Sequence, residues 1–356
     1  MSAERGRLAY DLHATFEENA RRGPLLGTDC PKVPETPLKR FLGLPVNSRF
    51  GIAAGLLPNS RWIGPYARLG FDLLTYKTVR SVPRASHPMP NWVFVEDTKP
   101  PTGPVTVLDT LPGAWTDASS SVCFGMPSAH PDHWRGDIAT SRQMLGPGQA
   151  LIVSVVASPE PGWTLEKTAE DFAQCAAWAV EAGAQVVEAN LSCPNVCTAE
   201  GTLYLDPQAS GLVARRVREE IGATPLLLKV GKFEQEEILP RFLDSVADSV
   251  NGLALLNCIS REVLLADGRP AFGEGFRMAG VLGRVIHRPA VEAVRRMKES
   301  ILLQGFDLAV AGVGGVASVA DAADFFDAGA DAVLCGSSPA WLPDLAIQIK
   351  EARPDW

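Results

Sequence analysis

The chain has 356 residues, 46% of them hydrophobic, with a mean hydropathy of +0.05, a formal net charge of −8 and an isoelectric point near 5.3. This length is ample for a full hydrophobic core, and the acidic balance lacks the basic face that a nucleic-acid binder needs. No apolar run is long enough to cross a bilayer, so neither nucleic acid nor membrane is an expected partner.

The first residues carry charges throughout and no apolar stretch of signal-peptide type, so no leader is expected. Residues 8–22 have the spacing of an amphipathic helix, with Leu8, Leu12 and Phe16 on one face packed against the body. Residues 1–48 read as an N-terminal extension packed on a single domain spanning 49–352. From residue 49 onward, short apolar runs alternate with helical patterns. Strands are expected in 49–57, 71–79, 150–158, 184–192, 224–232, 251–260, 306–315 and 330–338. Helices are expected after each of them, including 131–146, 164–183, 208–222, 234–248, 288–305 and 318–329. Many of these strands are near-continuous apolar runs, the pattern of strands covered on both faces. With no Ser/Gly-rich linker between halves, the fold class is α/β: a (β/α)8 barrel with an N-terminal extension and long βα loops.

The seven cysteines form no CxxC pair and are odd in number. That argues for a reducing, cytoplasmic setting and against a disulfide framework, a zinc ribbon or iron–sulfur ligation. Among the five histidines, only His130 and His133 approach ligand spacing, and they flank Pro131. No metal site is expected. Cys193, in the stretch EANLSCPNVC, reads from the residues alone as a packing cysteine, a partner of Cys197 or an acid/base.

In such a barrel, chemistry sits at the C-terminal ends of the strands. Lys77, Ser154, Asn190, Lys229, Asn257 and Ser260 all fall there. The segments AGVGGVAS (311–318) and CGSS (335–338) follow consecutive late strands. Glycine loops at that position, with a helix N-terminus behind them, form a common phosphate site.

Several segments occur together and in order: AAG at 53–55, YKT at 76–78, NLSCPN at 190–195, LLLK at 226–229, LLNC at 255–258, GVGG at 312–315 and CGSS at 335–338. On these the chain resembles the dihydroorotate dehydrogenase family of FMN barrels over residues 40 to 350, most specifically in NLSCPN. The resemblance implies an oxidoreductase of pyrimidine biosynthesis that binds FMN and a small-molecule substrate and forms a homodimer. It implies FMN contacts from Ala53, Ala54, Gly55, Lys77, Thr78, Ser154, Asn190, Lys229, Asn257, Gly283, Gly314, Gly315, Gly336 and Ser337. It implies substrate contacts from Lys77, Phe124, Gly125, Met126, Asn190, Asn195, Ser260 and Arg261, with Lys77 and Cys193 in the catalytic set. Cys193 matches the acid/base of the soluble, cysteine-type branch. A fixed ammonium at Lys229 would stabilise negative charge on a reduced flavin.

The pattern breaks at the substrate. Val122 stands where the family has an asparagine, and Ser260 and Arg261 replace an Asn-Ser pair. A buried polar ring atom deprived of its partner costs about 1–3 kcal/mol, whereas Arg261 offers a fork for a carboxylate. The expectation is therefore retained hydride chemistry with changed recognition, acting on dihydroorotate or a related cyclic compound. The alternatives are a flavin reductase of natural-product or dihydropyrimidine type, a tRNA dihydrouridine synthase and a non-catalytic flavin binder. The acceptor that recycles the flavin stays open among fumarate, a quinone, NAD(P) and oxygen.

Overall fold

A computed structural model describes residues 8–27, 31–96, 103–192 and 199–356. Eight parallel strands close into a barrel: β1 (Phe50–Ile52), β2 (Leu73–Val79), β3 (Ala150–Val155), β4 (Val186–Asn190), β5 (Leu226–Lys229), β6 (Gly252–Leu255), β7 (Ala309–Val313) and β8 (Ala332–Cys335). Closure comes from β8 returning to β1, with Val333 beside Phe50 and Cys335 beside Ile52. Every residue of β2 to β6 is buried, because helices cover the outside while side chains fill the inside.

The outer helices are α1 (Ser60–Arg68), α2 (Pro131–Gln143), α3 (Leu165–Glu181), α4 (Pro207–Ile221), α5 (Ile238–Val246), α6 (Arg284–Gln304), α7 (Val319–Asp327) and α8 (Leu345–Ala352). Their starts follow capping chemistry. Thr164 accepts from the Lys167 amide, Asp206 from Gln208 and Ala209, and Ser318 from Asp321. An antiparallel hairpin, Lys39–Phe41 with Leu44–Val46, places Phe41 and Val46 in one apolar cluster with Leu73, Ile152, Val186, Leu227 and Leu334 of the barrel interior.

A second sheet stands over the strands' C-terminal ends. Trp92–Glu96, Val105–Val107 and Ser119–Val122 come from the long β2–α2 insertion; Ile259–Leu264 and Met278–Gly283 come from the β6–α6 insertion. These five strands pair into a closed ring. The stretch 251–260, expected as one strand, is thus two: β6 ends at Leu255, and Ile259 onward turns into the ring.

Two further boundaries differ from expectation. The N-terminal helix spans only Phe16–Arg22, starting at a capping box in which Thr15 accepts from the Glu18 amide and Glu18 accepts from the Thr15 amide. Residues 8–15 fold back instead. Asn19 Nδ2 donates to the Asp11 and Ala14 carbonyls, and the Tyr10 ring sits 4.9 Å from Trp92 and 5.8 Å from Phe124. Helix α6 begins at Arg284, so Pro289, expected in its first turn, lies inside it.

Candidate active site

Four of the six residues expected at the strand ends, Lys77, Asn190, Lys229 and Asn257, converge on one cleft. A cleft of about 800 Å³ lies between the barrel mouth and the ring, floored by Ala53, Ala54 and Gly55. Lys77 and Thr78 reach it from β2, Asn190 from β4, Lys229 from β5 and Asn257 from just beyond β6. A register shift between Tyr76 and Val79 breaks the strict alternation of β2, so the consecutive residues Lys77 and Thr78 both line the cleft. The opposite wall is apolar and comes from the ring and its flanks: Trp92, Val122, Phe124, Met126 and Leu282.

Hydrogen bonds fix the polar side. Asn190 Oδ1 accepts from the Ser192 amide at 3.2 Å, and Asn190 Nδ2 points at Met126 Sδ, 3.7 Å away. Asn257 Nδ2 donates to the Ser192 carbonyl and lies 3.5 Å from Asn190 Oδ1. Lys229 Nζ donates to the Ala54 carbonyl at 3.3 Å and sits 3.8 Å from Glu188, with both side chains all but fully buried. Ser154 is fully buried below the cleft, sharing a 3.0 Å hydrogen bond with Thr78.

A second space of about 370 Å³ adjoins the first, since Asn257, Leu282, Val313, Gly336 and Ser337 line both. Gly283, Arg284, Gly314, Gly315 and Ser338 line it as well. Here glycine is required: Gly315 has φ +66°, and a Cβ there would lie 2.5 Å from the Gly283 carbonyl. Gly283 has φ +88°, and its Cβ would meet the Ala118 carbonyl at 2.4 Å. His287 braces this cradle, its Nδ1 donating to the Gly314 carbonyl at 3.2 Å and its Nε2 lying 2.8 Å from Asp324. Arg284 pairs with Asp321 at 2.7 Å. Among the described residues, His287, Asp321 and Asp324 are the one group of three ligand-type side chains close enough for a metal. Asp321 is engaged by Arg284 and Ser318 and His287 Nδ1 by Gly314, while His287 Nε2 and Asp324 face each other.

Of the residues proposed from sequence, Ala53, Ala54, Gly55, Lys77, Thr78, Phe124, Met126, Asn190, Lys229 and Asn257 line the cleft, and Gly283, Gly314, Gly315, Gly336 and Ser337 line the cradle. Gly125 is buried behind Phe124 and Met126, with φ +75° and His87 against it. Ser260 is exposed on a ring strand. Arg261 is only 3% exposed, and its Nε donates to the Gly103 carbonyl at 2.6 Å, inside the ring rather than at the cleft. Cys193 and Asn195 lie outside the described residues, as does Cys197. Sequence reasoning passed over Glu188, whose charge inside the run VVEAN was the available signal. It also passed over Trp92, Leu282 and Cys258, which no local pattern marks.

A (β/α)8 barrel with strand-end lysines and asparagines over one cleft, and a glycine cradle beyond its last two strands, is the architecture of an α/β-barrel enzyme with its candidate site at the C-terminal ends of the strands. The family model described as dihydroorotate dehydrogenase matches residues 151–351. The chain is 32% identical to a dihydroorotate dehydrogenase of Dictyostelium discoideum, over 95% of each chain. It is 27% identical to a dihydroorotate dehydrogenase (quinone) of Paraburkholderia phymatum, over 91% of this chain and 87% of that one. To a putative dihydroorotate dehydrogenase A (fumarate) of Pediococcus pentosaceus it is 31% identical over 43% of this chain and 48% of that one. The chain belongs to the dihydroorotate dehydrogenase family. It is an FMN-dependent oxidoreductase acting on a CH–CH bond. No helix among the described residues is long and apolar enough to cross a membrane.

Proposed function

We propose that this enzyme moves a hydride and a proton across one carbon–carbon bond of a cyclic substrate related to dihydroorotate, with Cys193 as the acid/base. The observation that carries the reading is the convergence of Lys77, Asn190, Lys229 and Asn257 on one cleft that runs into a glycine cradle.

The residues present fit FMN. At Gly314, with φ +144°, a Cβ would fall 2.5 Å from that of Ala290, so bare backbone is kept where amides can approach a phosphate. The small residues Ala53, Ala54 and Gly55 leave a flat floor for a ring, with Lys229 at its edge. When bound, FMN supplies the hydride acceptor.

The chain's own residues do the rest. Asn190 and Asn257 present amides that both donate and accept, and Ser192 locks them in place. Lys77 and Lys229 bring two ammonium groups to the floor. Cys193 follows Ser192 in the sequence, and Ser192 is held against Asn257 at the cleft. As a thiolate, Cys193 takes the proton from one carbon as the hydride leaves its neighbour, so a C–C bond becomes C=C; in the reverse direction the resulting thiol returns that proton.

Val122 supports a changed substrate. It lines the cleft among Trp92, Phe124 and Leu282, where the family's amide would read a ring edge. With Arg261 turned into the ring, the apolar wall suits a substrate whose edge there carries carbon rather than a urea-type group. The test is anaerobic stopped-flow reduction of the purified yellow protein by dihydroorotate, other dihydropyrimidines and cyclic carboxylates. Bleaching by a member of this panel is the expected result. A flavin that none of them reduces defeats the proposal, and turnover of dihydroorotate at the rate usual in the family defeats the changed-substrate part.

A further inference from the structure

Glu188 lies on β4, two residues before Asn190, in register with Ser154 of β3 and Leu227 of β5. The interior around it is apolar, formed by Ile152, Val186, Leu227, Ala254 and Ala311. The carboxylate is 1% exposed, and neither of its oxygens has a hydrogen bond among the described residues. Among the described residues its ion-pair partner is Lys229, 3.8 Å away and 3% exposed.

Stability does not explain this arrangement. An ion pair inside a barrel is on balance no better than two apolar side chains of the same volume, because both charges lose their hydration. The geometry has a different consequence. The Lys229 ammonium has three protons. One is taken by the Ala54 carbonyl at the cleft floor and a second faces Glu188, which leaves one for whatever lies in the cleft. The ammonium is thus held from two sides, and the field it projects into the cleft is reduced by the carboxylate behind it.

We propose that Glu188 is a positioning residue that holds Lys229 at the cleft floor and limits how strongly it stabilises negative charge on a bound flavin ring, thereby setting the flavin's reduction potential. The inference rests on the flavin reading above. It assigns a role to a carboxylate that touches neither substrate nor cofactor and acts through the lysine.

The experiment compares wild-type holoenzyme with E188Q, which keeps the volume and an acceptor for Lys229 but removes the charge. Two readouts are independent of substrate turnover: the midpoint potential of the bound FMN, and the Kd for sulfite, whose adduct places negative charge on the ring. Removing a buried charge this close to the lysine should tighten sulfite binding by about tenfold and move the potential in the positive direction. An E188Q holoenzyme with the wild-type potential and sulfite Kd overturns the inference. If E188Q does not fold, E188L, which removes the charge and restores apolar packing in the barrel interior, takes its place with the same two readouts, and a wild-type potential and sulfite Kd in that holoenzyme overturn the inference. A wild-type protein that takes up no FMN removes the flavin reading and this inference together; FMN-loaded wild type and E188Q that behave alike remove this inference alone.

Discussion

The two ends of the site are built by different means. The cradle is lined by backbone: Gly283, Gly314 and Gly315 sit at positive φ and leave no room for a side chain. The cleft wall is lined by side chains on two distant insertions, Trp92 and Val122 from one and Leu282 from the other. The first design tolerates almost no change. The second can alter what it recognises by single substitutions, because an apolar wall needs only shape and a missing amide needs only a different ligand edge. The proposed function places this asymmetry in the chain's own residues, with glycines kept in the cradle and Val122 in the wall.

The largest expected effect breaks the chemistry and spares both ends. C193A should lower the rate of flavin reduction by substrate by about 10²–10⁴-fold while FMN content stays at the wild-type level; stopped-flow traces and absorbance read both. Next comes the cradle. G315A forces a Cβ against the Gly283 carbonyl in a left-handed backbone, and a strain of about 1–3 kcal/mol should weaken FMN binding by one to two orders of magnitude in fluorescence titration. At the other end, V122N should raise kcat/KM for dihydroorotate by about tenfold, through a restored hydrogen bond of about 1–1.5 kcal/mol. If V122N instead loosens FMN, the two ends are not separable and the comparison fails. C258S should change turnover by no more than about twofold, which separates a cleft-lining thiol from the acid/base. The smallest effect is the absence of one. Burial pushes the thiols of Cys175 and Cys335 far up, so iodoacetamide should leave both unmodified in the native protein at neutral pH.

The same asymmetry governs what the sequence made legible. Strands β2 to β5 and the cradle read directly, because continuous apolar runs and glycines at fixed loop positions are local signals. Lys77, Asn190, Lys229 and Asn257 were found as polar residues ending apolar strands. The pairing of the ring was not legible. Its strands are short, from three residues at Val105–Val107 to six at Ile259–Leu264, and they close through partners far along the chain. Ser260 and Arg261 were expected at the substrate because a linear match runs straight on from Asn257. The chain instead leaves the barrel after Leu255, and by Ile259 it has entered the ring, where Arg261 faces Gly103. The N-terminal helix was extended too far by the spacing of Leu8, Leu12 and Phe16, where Thr15 and Glu18 set its true start.

The ring has a consequence for how this enzyme can change over generations. Ser119–Val122 forms one seam between the insertions, pairing with Trp92–Glu96 of its own and with Met278–Gly283 of the other; Val105–Val107 beside Val263 and Leu264 forms the second. Neither insertion can be exchanged for a relative's without mismatching those seams, and the second insertion also carries Gly283 of the cradle. Under the proposed function, shifts in substrate choice are expected either as point changes within the wall or as paired replacement of both stretches. A graft of a new specificity onto this barrel has to carry residues 80–130 and 256–283 together.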